Sequence, residues 1–208
     1  MNEAYNIDCM AYMNTLPDKA FELAIVDPPY GIGVDKMTMF DGAKKQTRHK
    51  EYADVAPQEN YFLELFRVSQ NQIIWGGNYF NLPPTRCCLS WDKIQEFSGA
   101  DFELAWTSFN KPSKTFRMCR AEAYGSGTIH PTQKPVSLYE WLLTNYAKQG
   151  DKILDTHLGS GSSRIAAYNL GFDFAGCEID PDYFKAQEER YQAHIAQQSL
   201  FIGQEVSK

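Results

Sequence analysis

The chain has 208 residues, 43% of them hydrophobic, 22% charged and 14% aromatic, which supports one sizeable core and excludes a disordered chain. No run approaches the roughly 18 apolar residues of a membrane span, and MNEAYNIDCM lacks the basic start and apolar stretch of a signal peptide, so a cytoplasmic protein with no membrane partner is expected. Five scattered cysteines without a CxxC (Cys9, Cys87, Cys88, Cys119 and Cys177) argue against a disulfide framework and against a metal site.

The first strand is expected over residues 4–7, followed by a short helix carrying Met10, Met13 and Leu16. Residues 21–26 form an apolar run that stops at Asp27-Pro28-Pro29, as a buried central strand does at a functional edge. Residues 31–56 hold Gly, Lys, Asp and Met without periodicity and are expected to be a long mobile loop, a length that compact domains keep for function or disorder. A helix over 57–69 presents Tyr61, Phe62, Leu65 and Phe66, and strands follow at 72–75, 87–91 and 102–106. Pro135 opens a helix with Leu138, Trp141, Leu142 and Tyr146 at helical spacing, ended by Gly150. Residues 152–155 are a short buried strand. The turn Gly159-Ser160-Gly161 then leads into a helix that stops near Gly171. A strand over 174–179 and a helix over 181–196, with Asp180 as N-cap, complete the chain. Strand and helix alternate, so the expected fold is α/β: one doubly wound, mostly parallel sheet of seven strands in a single domain, 1–208.

A net charge of −6 conceals two basic segments. Residues 36–50 hold Lys36, Lys44, Lys45, Arg48 and Lys50 against only Asp41, and residues 111–120 hold Lys111, Lys114, Arg117 and Arg120 with no acid. They read either as solvated loops or as a face for a polyanion on an otherwise acidic body.

Two constellations carry chemistry, both at the carboxyl ends of expected strands, where open α/β sheets bind ligands. In Asp155 to Ser163, the glycines let the backbone turn and approach a ligand, and Glu178 ends the following strand, where an acid can accept from both hydroxyls of a ribose. The alternative is a structural turn beside an exposed acid. The second is Asp27-Pro28-Pro29-Tyr30. An exocyclic base amine is a poor nucleophile, because its lone pair is delocalised into the ring. Acceptors on its two N–H bonds, here the Asp27 carboxylate and the Pro28 carbonyl, draw it toward a tetrahedral geometry. The prolines stiffen that carbonyl, and Tyr30 offers a face for stacking a flipped base, worth about 1–3 kcal/mol. The alternative is a proline turn closing a strand.

DPPY at 27–30, HPTQKP at 130–135 and the glycine turn at 159–161 followed by Glu178, in that order, resemble the β-class amino-methyltransferases of DNA. These are the permuted group in which DPPY precedes the cofactor-binding glycines. IIWGGNYF at 73–80 is similar to the family's strand and turn after DPPY. The resemblance implies a Rossmann-like sheet in circularly permuted order, S-adenosylmethionine as cofactor and DNA as partner. It implies catalytic roles for Asp27, Pro28, Pro29 and Tyr30, with Asp27 also bordering the cofactor. Glu178 would hold the ribose, the turn through Asp155, His157, Gly159 and Gly161 would lie against the methionine part, and Asp8 would accept from the cofactor's adenine amino group. His130, Thr132 and Lys134 would approach the amino-acid end, where an ammonium on a carboxylate is favourable. The family pairs Asp at the first motif position with adenine and Ser with cytosine, so N6 of adenine is the expected target and N4 of cytosine the rival. A catalytically inactive subunit of the same fold is the alternative from another class.

Two departures from the family pattern stand out. Asp155-Thr156-His157 replaces the usual Asp-Pro-Phe, and His157 is read as a packing substitute for the aromatic rather than as a base or metal ligand. The target-recognition insert is short, about 110–129. Site selection is therefore expected from a short readout with Arg117 and Arg120, from the loop at 31–56, or from a second copy of the chain.

Overall fold

The computed structural model describes residues 1–33, 54–94, 100–123 and 127–205, without the side chains of residues 120 and 199–205. Among the described residues eight strands form one sheet: β1 (Asn2–Tyr5), β2 (Phe21–Val26), β3 (Ser69–Trp75), β4 (Cys88–Asp92), β5 (Phe102–Thr107), β6 (Lys114–Arg117), β7 (Lys152–Asp155) and β8 (Asp173–Cys177). Across the sheet the order is β1-β8-β7-β2-β3-β5-β4-β6. β5 pairs antiparallel with both neighbours and runs alone against the other seven.

The sheet is thus mostly parallel, as expected, with one strand more than the seven read from sequence. The addition is β6, inside the stretch set aside for target recognition. Its four residues KTFR include only one apolar side chain, too little for a period-two signal. Parallel pairing to β4, from Leu89↔Lys114 to Asp92↔Arg117, and contact of Phe116 with Trp141 fix it instead. β1 also sits two residues earlier than expected. Its register with β8, Asn2↔Phe174 to Tyr5↔Cys177, leaves Ile7 and Asp8 beyond the strand end.

The helices are α1 (Cys9–Met13), α2 (Glu59–Val68), α3 (Arg120–Ala123), α4 (Val136–Tyr146), α5 (Ser162–Leu170) and α6 (Pro181–Glu205). Alternate residues of β2 serve opposite faces, which is why that strand reads as a continuous apolar run. Leu23 and Ile25 pack with Leu138, Leu142 and Leu143 of α4 and Ala166 and Ala167 of α5. Ala24 and Val26 pack with Met13 of α1 and Tyr61, Phe62 and Leu65 of α2. Leu23, Leu65, Leu138 and Leu142 are at most 1% exposed, each burial stabilising by about 1.5–3 kcal/mol. Among the described residues no helix is long and apolar enough to cross a membrane.

This topology brings the carboxyl ends of β1, β8, β7, β2, β3 and β4 to one edge of the sheet, and β5, running the other way, starts there. Asp8, Glu178, His157, Asp27, Gly76, Lys93 and Glu103 therefore share that edge.

Candidate active site

A cavity of about 320 Å³ opens at this edge. Asp8, Asp27, Pro29, His130, Thr132, Lys134, His157, Gly159 and Glu178 line it, so most of the residues singled out from sequence meet in one place. Ile7, Leu158, Ile179 and Tyr183 add apolar wall that the motifs did not mark.

Asp155 and Gly161 do not line the cavity; they build its floor from behind. Asp155 is 1% exposed, and its carboxylate accepts from the backbone N–H of His157 at 3.0 Å and from the Ser163 hydroxyl. Burial lifts its carboxyl to about 7. Gly161 caps α5 at φ +74°, and a Cβ there would press on Gln187 at 3.1 Å. Arg190 of α6 fastens the same turn, donating to the Ser160 carbonyl at 2.8 Å and the Ser162 hydroxyl at 2.9 Å.

Glu178 follows β8 and accepts through one carboxylate oxygen from the Gly159 N–H at 2.8 Å and through the other from the Asp180 N–H at 2.9 Å. Each oxygen retains a lone pair for a ligand, and burial raises the carboxyl above its usual range. Asp180 accepts from the N–H groups of Asp182 and Tyr183, the N-cap expected for α6. Asp8 caps α1 through Ala11 N–H at 2.9 Å and lines the cavity as well, so the cap reading and the ligand reading are compatible. His130 packs edge-on against Tyr183 at 4.4 Å, and its Nδ1 pairs with the Thr132 hydroxyl at 3.1 Å.

His157 packs edge-on against Tyr61, while Nδ1 pairs with the Thr156 hydroxyl at 2.9 Å, which in turn meets the Tyr61 hydroxyl at 2.6 Å. Burial holds the imidazole down to about 4, so it is neutral at physiological pH. Among the described residues no cluster of His, Cys, Asp and Glu could hold a metal ion. The His157 shift implies a pH dependence of stability. With its folded value below the unfolded 6.5, the unfolded chain takes up the proton first and stability is lost as pH falls from about 6.5 to 4. Asp155, raised from 3.8 to about 7, acts oppositely over the overlapping window, losing stability as pH rises. His157→Phe removes one side of this balance. The variant is expected to gain stability relative to the parent at pH 5 more than at pH 7.5, as read by urea denaturation; an equal change at both pH values would contradict the burial account.

At the other end of the cavity, Asp27 leaves β2 with its carboxylate doubly held. Tyr30 donates its hydroxyl to Oδ1 at 2.7 Å, and Lys134 Nζ donates to Oδ2. Lys134, whose side chain is 2% exposed, also meets Glu103 Oε2 at 3.0 Å, and Glu103 Oε1 meets Lys93 Nζ at 2.7 Å. Lys134, expected at the amino-acid end of a cofactor, lines the cavity and also holds these two carboxylates. Burial pushes Asp27 up, opposed by Lys134 and reinforced by Glu103. Burial also works against ionised Glu103, but Lys134 and Lys93 bring it down to about 2. Both carboxylates hold Lys134 protonated against the cost of burial.

Tyr30 lies over Gly76, at φ +68°, where a Cβ would fall 2.2 Å from the ring; only glycine admits the tyrosine here. The ring stacks on Tyr79 at 5.1 Å and meets Phe80 edge-on. This is the physical use of the GGNYF turn after β3. Pro28 is buried, and neither it nor Tyr30 lines the cavity itself.

Residues 90–189 match the family model described as DNA methylase, of the N6/N4 type. Over that stretch, a little under half of its length, the chain is similar to the N6/N4 DNA methylases. The type II methyltransferase M2.DpnII of Streptococcus pneumoniae is 30% identical over 139 residues, 66% of this chain and 47% of that protein. The chain thus spans about half the length of that curated relative. Among solved structures, an M1.HpyAVI–SAM complex superposes with TM-score 0.59 at 20% identity, covering 91% of this chain and all of the other. The cytosine-N4-specific PvuII DNA methyltransferase superposes with TM-score 0.58 at 13% identity, covering 92% and 90%. These likenesses show the Rossmann-like fold.

Of the remaining expected residues, those described lie away from the cavity. Lys36, Lys44, Lys45 and Arg48 lie outside the described residues, as does most of the loop at 31–56, and the Arg120 side chain does too. Lys111 donates to the Asn145 carbonyl, Lys114 to the Asn145 side chain at 2.9 Å, and Arg117 pairs with Asp92 at 3.0 Å. All three remain exposed near the β6 edge of the sheet. Glu103 and Lys93 escaped the motif reading. The one signal for them was Lys134 itself, a cation inside an otherwise uncharged motif that needs a buried partner.

Proposed function

We propose that the protein methylates the N6 amine of adenine in DNA with S-adenosylmethionine as donor. One observation carries this reading: Asp27 of DPPY and the Gly159–Glu178 unit line the same cavity, so an amine acceptor and a cofactor site adjoin. The lining fits the cofactor's chemistry. Glu178 has acceptor capacity for a ribose diol, Asp8 for an adenine amino group, and Ile7, Leu158 and Ile179 supply apolar surface for a ring. When bound, S-adenosylmethionine supplies an electrophilic methyl group on a sulfonium.

The chain's own part is to orient and desolvate the amine. Asp27 and the Pro28 carbonyl accept its two N–H bonds and free the lone pair, while Tyr30 backs Tyr79, whose 49% exposed ring offers an aromatic face to the flipped base. As the new N–C bond forms and the S–C bond breaks, the amine becomes cationic beside Asp27 and then gives one proton to water. Asp27 favours adenine; cytosine N4 presents the same two N–H bonds, and the PvuII likeness keeps it as the second reading.

Incubation with DNA and methyl-labelled S-adenosylmethionine, followed by nucleoside analysis, tests the reaction. Label in N6-methyldeoxyadenosine is expected, and label in N4-methyldeoxycytidine favours the second reading. Absence of both, with no calorimetric binding of the cofactor, makes the chain an inactive relative. Lys44, Lys45 and Arg48, with Lys36, Lys111, Lys114, Arg117 and Arg120, are proposed to face the phosphates. Neutralising Lys44, Lys45 and Arg48 together is expected to weaken DNA binding and to flatten its salt dependence. The log–log slope should fall by about 0.9 for each phosphate that the protein no longer neutralises. An unchanged slope would remove that segment from the interface.

A further inference from the structure

The buried charges behind Asp27 have a composition that the transfer reaction alone does not explain. Lys134 sits directly on the carboxylate meant to stabilise a developing cation, and the Asp27–Lys134 pair is neutral as a unit. A neutral pair offers an amine turning positive much less than a lone carboxylate does. The structure supplies a second acid. Glu103, at the start of β5, holds Lys134 from its other side, and Lys93, just beyond β4, holds Glu103 in turn. The side chains of Lys134, Lys93 and Glu103 are 2%, 12% and 24% exposed, so all three charges are largely shielded from water.

We propose that Glu103 is a positioning residue for the amine site: it anchors the Lys134 ammonium on Asp27 and restores to the cluster the negative charge that Lys134 cancels. This rests on the reading of Asp27 as the acceptor for the base amine. Asp27, Lys134 and Glu103 carry a net −1 at the inner end of a row that Lys93, on the far side of Glu103, brings to neutrality, while Lys134 keeps Asp27 oriented with Tyr30 on its other oxygen. The other polar groups around the cluster are the hydroxyls of Tyr30 and of Tyr139 on α4, and Asp155 at the end of β7. Trp75 faces Lys134 and Trp91 faces Lys93 with uncharged rings. Lys93 is the outer cation and tempers Glu103.

Opposite charge changes test this. Glu103→Gln keeps an acceptor for Lys134 but removes the charge that raises Asp27. It is expected to lower kcat roughly 10-fold or more, to leave KM for DNA and cofactor affinity unchanged, and to move the acid limb of the kcat profile to lower pH. Lys93→Gln leaves Glu103 less compensated and is expected to move that limb to higher pH. Glu103→Asp keeps the charge and is expected to retain more of kcat than Glu103→Gln. Parental kcat in Glu103→Gln, a loss expressed in KM, or limb shifts of the same sign in both variants would overturn the assignment. Should Glu103→Gln fail to fold, the direction of the Lys93→Gln shift decides alone. Absence of transfer by the parent protein would sink the acceptor reading of Asp27 and this one with it, an outcome distinct from any of the variant results.

Discussion

Replacing Asp27 with alanine is expected to reduce methyl transfer by at least about 10²–10³-fold, the scale of losing one preorganised electrostatic partner. Cofactor affinity should change little, because Glu178, Gly159 and Asp8 line other parts of the cavity. The fold should tolerate the change, since Lys134 keeps Glu103 at 3.0 Å as a counter-charge. Asp27→Asn, which keeps a neutral acceptor in the same place, is expected to fall between the parent and the alanine variant. Single-turnover rates and calorimetry on the same preparations check both halves. Parental turnover in Asp27→Ala would rule out its role as acceptor, and loss of cofactor binding would assign it to the cofactor instead.

Lys134→Met is expected to be the most damaging single change to stability. It leaves two buried carboxylates, Asp27 and Glu103, without the cation between them, a loss of about 3–5 kcal/mol in comparable buried pairs. Against a typical total of about 5–15 kcal/mol, that is a large fraction. The damage should depend on pH with a definite sign. In the parent, Glu103 lies at about 2, below its ordinary 4.5, so its contribution is present above 4.5 and fades as pH falls toward 2. In the variant, Glu103 keeps Lys93 at 2.7 Å, but burial without Lys134 lifts Asp27 further, so the folded state holds its proton longer and stability falls as pH rises through the carboxylate range. Urea denaturation should therefore show a larger deficit at pH 8 than at pH 5. A deficit equal at both, or none, would contradict the ion-pair account.

Much of this was legible in the sequence because the signals were local. Residues 21–26 are apolar on both faces, as a central parallel strand must be, and the glycine turn with Asp180 as N-cap dictates β7-α5-β8-α6 in order. The three motifs each end a strand or enter a helix, so a parallel sheet gathers them at one edge without further information. β5 shows where this fails. FELAWT alternates Phe102, Leu104 and Trp106 with Glu103, Ala105 and Thr107, yet Phe102 is 53% exposed, while Ala105 packs in the core and Glu103 pairs with Lys134. The face is set by what waits on the other side of the sheet edge, a lysine from a distant motif, and no periodicity carries that. β6 was missed for a related reason, since four mostly polar residues become a strand only by pairing to β4.

The most direct test of the account is single-molecule sequencing of DNA from a host expressing the protein, beside a host expressing the Asp27→Ala variant. The expected result is N6-methyladenine in a defined sequence context, present with the parent chain and absent with the variant. DNA unmodified in both hosts, or modified equally in both, would contradict the assignment of Asp27 and its cavity to base-amine methylation.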